Sequence, residues 1–127
     1  MKSNISQRII LLLLVLLPVF LGAQDQRLVK TKVADVLALL PATDNQQALR
    51  LYQDLLNLGD EGLGLVTEGV QPNGKVEGVP SRYAVSLLTH YATSKEEKAR
   101  IERIYLAALS KSSDAEVKAY FISNLQV

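Results

Sequence analysis

Apolar residues recur at helical spacing along nearly all of the chain after its first two dozen positions. Between Leu28 and Leu40, the side chains of Leu28, Val29, Val33, Val36, Leu37 and Leu40 share one face of a helix, and Pro41 stops it because the proline ring clashes with the preceding turn. A second helix is predicted from Thr43, with a capping box in which Gln46 reaches back, and with Ala48, Leu51, Tyr52, Leu55 and Leu56 as its stripe. Gly59 suits its C-terminal cap, a position that favours glycine. Asp60 and Glu61 then complement the first turn of a third helix, whose apolar face is Leu63, Val66 and Val70. Gly62, Gly64 and Gly69 each cost such a helix about 1 kcal/mol relative to alanine. Residues 62–79 therefore also admit a hairpin turning at Asn73-Gly74. The helix is the preferred reading, since Pro72 and the same glycines weaken the flanking strands too.

A fourth helix is predicted from Pro80-Ser81, where the missing proline N–H costs nothing, with Tyr83, Ala84, Leu87, Leu88 and Tyr91 on one side. Ser94-Lys95-Glu96-Glu97 is a capping box that opens a fifth, carrying Ile101, Ile104, Tyr105, Ala108 and Leu109 inward and a Glu96–Arg100 pair outside. Ser113-Asp114-Ala115-Glu116 is a further start of this kind, followed by Val117, Tyr120, Phe121, Ile122 and Leu125. Five or six amphipathic helices joined by short links predict an all-α fold of stacked antiparallel hairpins, an α-solenoid in outline. In such stacks each hairpin covers its neighbour, and the sequence shows nothing to cover the last stripe. The expectation is an uncovered face on the final helix and an array that continues past residue 127, with self-association of the fragment as a further consequence.

The first segment departs from this pattern. Lys2 and Arg8 precede an almost unbroken aliphatic run from Ile9 to Phe20, and Leu21-Gly22-Ala23 leads into polar Gln24-Asp25-Gln26. That order is the order of a cleaved secretory signal peptide, residues 1–23, with the helical domain at residues 24–127. A retained membrane anchor is the rival reading, but Ile9 to Ala23 falls short of the roughly 20 apolar residues that span a bilayer, and Pro18 interrupts it. The protein is expected outside the cytoplasm, periplasmic or at the cell surface, free of the membrane after cleavage.

Composition narrows the chemistry. The 127 residues carry 14 Lys and Arg against 13 Asp and Glu, and a nearly neutral chain lacks the concentrated positive field that nucleic-acid binding needs. No cysteine is present, which excludes disulfide staples, Cys-ligated zinc or iron–sulfur sites, thiol nucleophiles and a lipidated cysteine anchor.

Four stretches carry a resemblance to a known family: residues 31–42 (TKVADVLALLPA), Leu58-Gly59-Asp60-Glu61-Gly62, Arg82-Tyr83-Ala84, and residues 120–126 (YFISNLQ). Together they resemble the start of secreted HEAT-repeat proteins of Bacteroidetes-type gut bacteria. The resemblance implies helical repeats that present extended surfaces to partners and hold no chemical site of their own. In longer members it implies a following domain similar to 3-keto-disaccharide hydrolases, to which no residue of this chain corresponds.

The individual candidates for chemistry have plain structural readings beside them. His90 is the one imidazole and sits beside Leu87 and Tyr91, as a helix-flank histidine does. The acid pairs Asp60-Glu61 and Glu96-Glu97 open predicted helices, where the helix dipole accounts for them. The glycines at 59, 62, 64 and 69 match no phosphate-loop spacing and follow a helix instead of a strand. Lys95, Lys98, Arg100 and Arg103 interleave with Glu96, Glu97 and Glu102, the pattern of a solvated face. No cofactor or metal is called for. Tyr83, Leu87 and Tyr91 align at i, i+4 and i+8, so the tyrosine rings are available to stack on a sugar or a partner or to serve as core. The expected function is that of a non-catalytic scaffold for protein–protein interaction, contacting a protein partner or its own further repeats through Tyr83, Tyr91, Val117, Tyr120, Phe121 and Leu125. The alternative is an N-terminal module of a carbohydrate-active enzyme whose chemistry lies beyond residue 127.

Overall fold

The computed structural model describes residues 25–127; the signal-peptide reading of residues 1–23 lies outside them. The described chain is all-α: α1 (residues 25–38), α2 (Asn45–Asn57), α3 (Gly59–Glu68), a short 3-10 turn (Val76–Gly78), α4 (Val79–Tyr91), α5 (Lys95–Lys111) and α6 (Ala115–Leu125). None of the described helices is long and apolar enough to cross a membrane.

Residues 59–68 are helical, which decides between the two readings of the glycine-rich stretch. Gly59 has φ +76°, the left-handed backbone that lets α2 end and α3 begin one residue apart. Gly62 is small for a packing reason. A Cβ there would lie 2.5 Å from the Leu58 Cβ, so the missing side chain is what lets Leu58 fold over the first turn of α3, while a Val29 methyl of α1 would be at ordinary contact distance, 3.7 Å. The hairpin signal at Asn73-Gly74 is realised as a surface turn between helices instead of a strand reversal, with Gly74 at φ +86°.

Caps set the helix starts, in two cases one residue later than the sequence suggests. Ser94 accepts from the Glu97 amide at 3.1 Å while Glu97 reaches back to the Ser94 amide, as predicted. At α2 the cap is Asp44 instead of Thr43: its carboxylate accepts from the Gln47 amide at 2.7 Å, and Gln47, not Gln46, bonds back to the Thr43 amide. At α6 the cap is Asp114, which accepts from the Glu116 and Val117 amides. A carboxylate is at least as good a cap as a hydroxyl and adds a charge at the positive helix end.

Each helix from α2 onward packs on the next and on the next but one: α2 on α3 and α4, α3 on α4 and α5, α4 on α5 and α6, α5 on α6. Helices α3 and α5 run side by side in the same direction, tied near their starts by Arg100–Asp60 at 2.8 Å and near their ends by Lys111–Glu68 at 4.0 Å. Arg100 thus pairs across to another helix and not with Glu96, as the i, i+4 spacing suggested. One core runs through the stack, with Leu55, Leu63, Val66, Ala84 and Val85 fully enclosed and Leu88, Tyr105 and Phe121 nearly so.

The final helix does not present the uncovered stripe that the sequence predicted. Val117 and Phe121 are buried, 6% and 1% exposed, against α5 and the core, and Tyr120 and Leu125 are half-buried. Only Ile122 of that set is exposed. The physical reason is that α6 folds back along α5 and spends its apolar side there, with the Tyr105 and Phe121 rings 5.7 Å apart. The ground offered for self-association through this helix, and for a continuation to cover it, is therefore removed.

Candidate functional site

The six residues expected to meet a partner fall into four separate places. Tyr83 and Tyr91 come together on the outer side of α4, where they line an open groove of about 360 Å³ with Leu87, His90 and the corner Leu40-Pro41-Ala42. The corner exists because α1 ends at residue 38 and the chain must turn at Pro41 before α2 can start. Spacing by four residues puts Tyr83, Leu87 and Tyr91 on one ridge of α4, while Ala84, Val85 and Leu88 take the other side into the core. Tyr83 is 42% exposed. Tyr91 is half-buried, its ring 6.2 Å from that of Tyr52.

Among the described residues, no Asp, Glu, Lys or Arg lines this groove. Its polar groups are the Ser86 hydroxyl, the tyrosine hydroxyls and His90, whose Nδ1 lies 2.8 Å from the Ser86 carbonyl. A carbonyl can only accept, so Nδ1 is the donor in this contact. His90 is thus exposed and held to its own helix, as the flank reading expected.

Val117 and Phe121 belong to a second groove, of about 300 Å³, between α3, α5 and the start of α6. They form part of its floor and are enclosed by the chain's own packing. Gly64 lies at its wall, and a Cβ added there would meet nothing within 4 Å, so the wall is open over bare backbone. Glu68 and Lys111 stand at the rim.

Tyr120 is committed to holding the molecule together. Its hydroxyl donates to the Arg82 carbonyl at 2.9 Å, and the Arg82 guanidinium sits 4.4 Å from its ring centroid. The same guanidinium donates twice to the Gln71 carbonyl, at 3.1 and 2.7 Å, strapping the 71–75 turn to α4. Burial raises the Tyr120 pKa, with the Arg82 charge opposing. Leu125 lines a third, shallower cavity of about 230 Å³ with Thr89, Tyr105 and Asn124.

That third cavity borders a polar network which the helical pattern did not single out. The Thr89 hydroxyl lies 2.8 Å from Asn124 Oδ1, 2.9 Å from the Tyr105 hydroxyl and 2.9 Å from the Val85 carbonyl, and Tyr105 donates to that carbonyl at 2.9 Å. Asn124 Nδ2 donates to the Tyr120 carbonyl, which fixes the amide's orientation and turns its oxygen to Thr89. Burial drives the Tyr105 pKa well above its ordinary value, so the ring hydroxyl keeps its proton. A sequence signal was present: Thr89 follows Val85 by four, and Asn124 follows Tyr120 by four, each a polar residue on an otherwise apolar stripe. The network ties α4, α5 and α6 and holds no charged or metal-binding group.

The acid pairs are accounted for locally. Asp60 holds Arg100, which also donates to the Leu56 carbonyl at 3.1 Å. Glu97 closes the Ser94 cap and faces the Tyr52 hydroxyl. That hydroxyl is buried without a well-formed hydrogen bond, and burial together with the Glu97 carboxylate pushes its pKa up to about 12. The same hydroxyl and the Thr93 amide hold the Glu97 carboxyl below its ordinary value. Among the described residues no group of three His, Asp or Glu is placed to hold a metal ion.

A scan of protein-family models gave no match to this chain, and neither curated proteins nor solved structures show one.

Proposed function

We propose that this protein is an exported, non-catalytic helical scaffold of HEAT-like construction, and that the groove over Tyr83, Leu87 and Tyr91 receives a short amphipathic helix of a protein partner. The observation that carries the reading is the convergence of both tyrosines on one open groove whose lining has no formal charge. A ridge from Tyr83 to Tyr91 runs about 12 Å along α4, matching two turns of a partner helix with apolar residues at i, i+4 and i+7. The absence of charge in the lining means that apolar burial, not ion pairing, supplies the affinity. Export is supported by Lys2 and Arg8 ahead of the aliphatic run that ends at Leu21-Gly22-Ala23.

Site-specific photocrosslinking in the producing cell tests this. A crosslinking residue at position 83 and, separately, at position 91 is expected to capture the same protein through one helical segment identified by mass spectrometry. The exposed control position 118 is expected to capture none of it, and Leu87→Glu to abolish the adduct. Equal capture from position 118, or no discrete adduct from 83 and 91, overturns the proposal.

A further inference from the structure

The turn at Asn73-Gly74 has no part in the proposed docking, yet its geometry carries a specific chemistry. Pro72 to Lys75 form a turn closed by the Lys75 amide on the Pro72 carbonyl at 3.3 Å, with Gly74 at φ +86° in the third position, the arrangement of a type II turn. Asn73, Gly74 and Lys75 are all exposed. Among the described residues the Gly74 amide finds no hydrogen-bond partner, and no side chain on Gly74 shields its nitrogen. The turn is nevertheless held at both sides: the Asn73 amide donates to Glu116 Oε2 at 3.1 Å, and Arg82 grips the Gln71 carbonyl.

We propose that Asn73 is a site of spontaneous deamidation that loosens this strap between α4 and α6. The Gly74 amide nitrogen gives up its proton to solvent hydroxide and attacks Asn73 Cγ. A new N–Cγ bond forms, and the side-chain nitrogen leaves as ammonia after taking a proton from water. The resulting five-membered succinimide is opened by one water molecule at either carbonyl, leaving aspartate or isoaspartate at position 73, with no change of oxidation state. The attack requires the Asn73–Gly74 peptide to rotate, and the single long bond across the turn is the one restraint within the turn that resists it.

The products differ from asparagine in ways the surroundings register. Either one places a carboxylate beside Glu116, whose own carboxylate accepts from the residue 73 amide, and like charges at this distance repel. Isoaspartate also adds a methylene to the main chain, so the turn can no longer offer the amide to Glu116 and the Gln71 carbonyl to Arg82 together.

The intact protein, incubated in mildly alkaline buffer beside the free tryptic peptide of residues 51–75, provides the test. That peptide also contains Asn57, a helical residue in α2 that serves as an internal control in the protein. Peptide mass spectrometry with fragment-ion localisation, and enzymatic methylation of isoaspartate, are expected to find conversion at Asn73 in the folded protein within a few-fold of the free-peptide rate. Asn57 is expected to stay unmodified in the folded protein. Asn73→Gln, which keeps an amide but cannot close the five-membered ring, is expected to stop it. Asn73 left intact in the folded protein while the free peptide converts shows that the turn protects it, and overturns the proposal. Isoaspartate formed at an equal rate in the 51–75 peptide of the Asn73→Gln variant, at Asp54, Asn57 or Asp60, does so as well.

Discussion

The two sides of α4 put one helix to opposite uses. Its inner side is made of small or branched residues, Ala84, Val85 and Leu88, that are enclosed, and its last polar group there, Thr89, lies within hydrogen-bond distance of α5 and α6. Its outer side carries two larger side chains, Tyr83 and Tyr91, with Leu87 between them, over a groove that nothing in the described chain fills. The inner side contributes stability, and the outer side leaves apolar area available for a partner. Amphipathicity alone does not separate the two, because both sides are apolar; what separates them is whether another helix of the same chain arrives.

Cutting one leucine from each side gives the sharpest test. Leu88→Ala is expected to cost about 2–5 kcal/mol, the range for a fully enclosed leucine, read as a lower urea midpoint. Leu87→Ala, one residue away, is expected to cost under about 1 kcal/mol. Equal losses would erase the distinction.

A tyrosine enclosed behind α4 gives a second test. Tyr52, the buried neighbour of Tyr91, has its pKa raised from 10 to about 12, so the folded state holds this proton more tightly than the unfolded chain. Its contribution is complete below pH 10 and is lost as the pH rises from about 10 to 12. Thermal unfolding followed against pH is expected to show an alkaline fall that Tyr52→Phe lessens, and a fall unchanged by Tyr52→Phe would count against this.

A smaller effect is expected from Thr89→Val, which keeps the shape but leaves Asn124 Oδ1 without its donor, at about 1–3 kcal/mol. Chemical denaturation measures it, and hydrogen exchange is expected to show α6 opening more readily. The smallest effect on stability belongs to Tyr83→Ser, within about 0.5 kcal/mol, together with loss of the crosslinked partner. A large stability loss there would mean that the outer side is structural after all.

The sequence was most informative where a signal is local. Helical periodicity, the Pro41 stop, the Gly59 cap and the Ser94 box are decided within four residues of themselves, and the structure keeps all of them. Competing local signals were harder. Thr43 and Asp44 are both good caps, as are Ser113 and Asp114, and the carboxylate wins in each case. Contacts made across the stack were not legible. Arg100 has Glu96 at helical spacing yet binds Asp60, since the direction in which α3 and α5 lie together is set by the whole packing. The fate of α6 was misread for the same reason: its stripe is visible in the sequence, but its cover, α5, is the preceding helix instead of a following one. Of the candidate site, the Tyr83–Tyr91 ridge could be read from spacing, and the Leu40-Pro41-Ala42 corner that turns it into a groove could not.

Arg100 has a mechanical meaning that its ion pair alone does not convey. One planar guanidinium grips the Leu56 carbonyl, near the end of α2, and the Asp60 carboxylate, near the beginning of α3, so it straddles the Gly59 bend like a pin through a knuckle joint. Lysine offers a single ammonium point charge and no fork with which to span both grips. The bend between α2 and α3 is therefore braced from α5, in addition to the packing of both helices on α4.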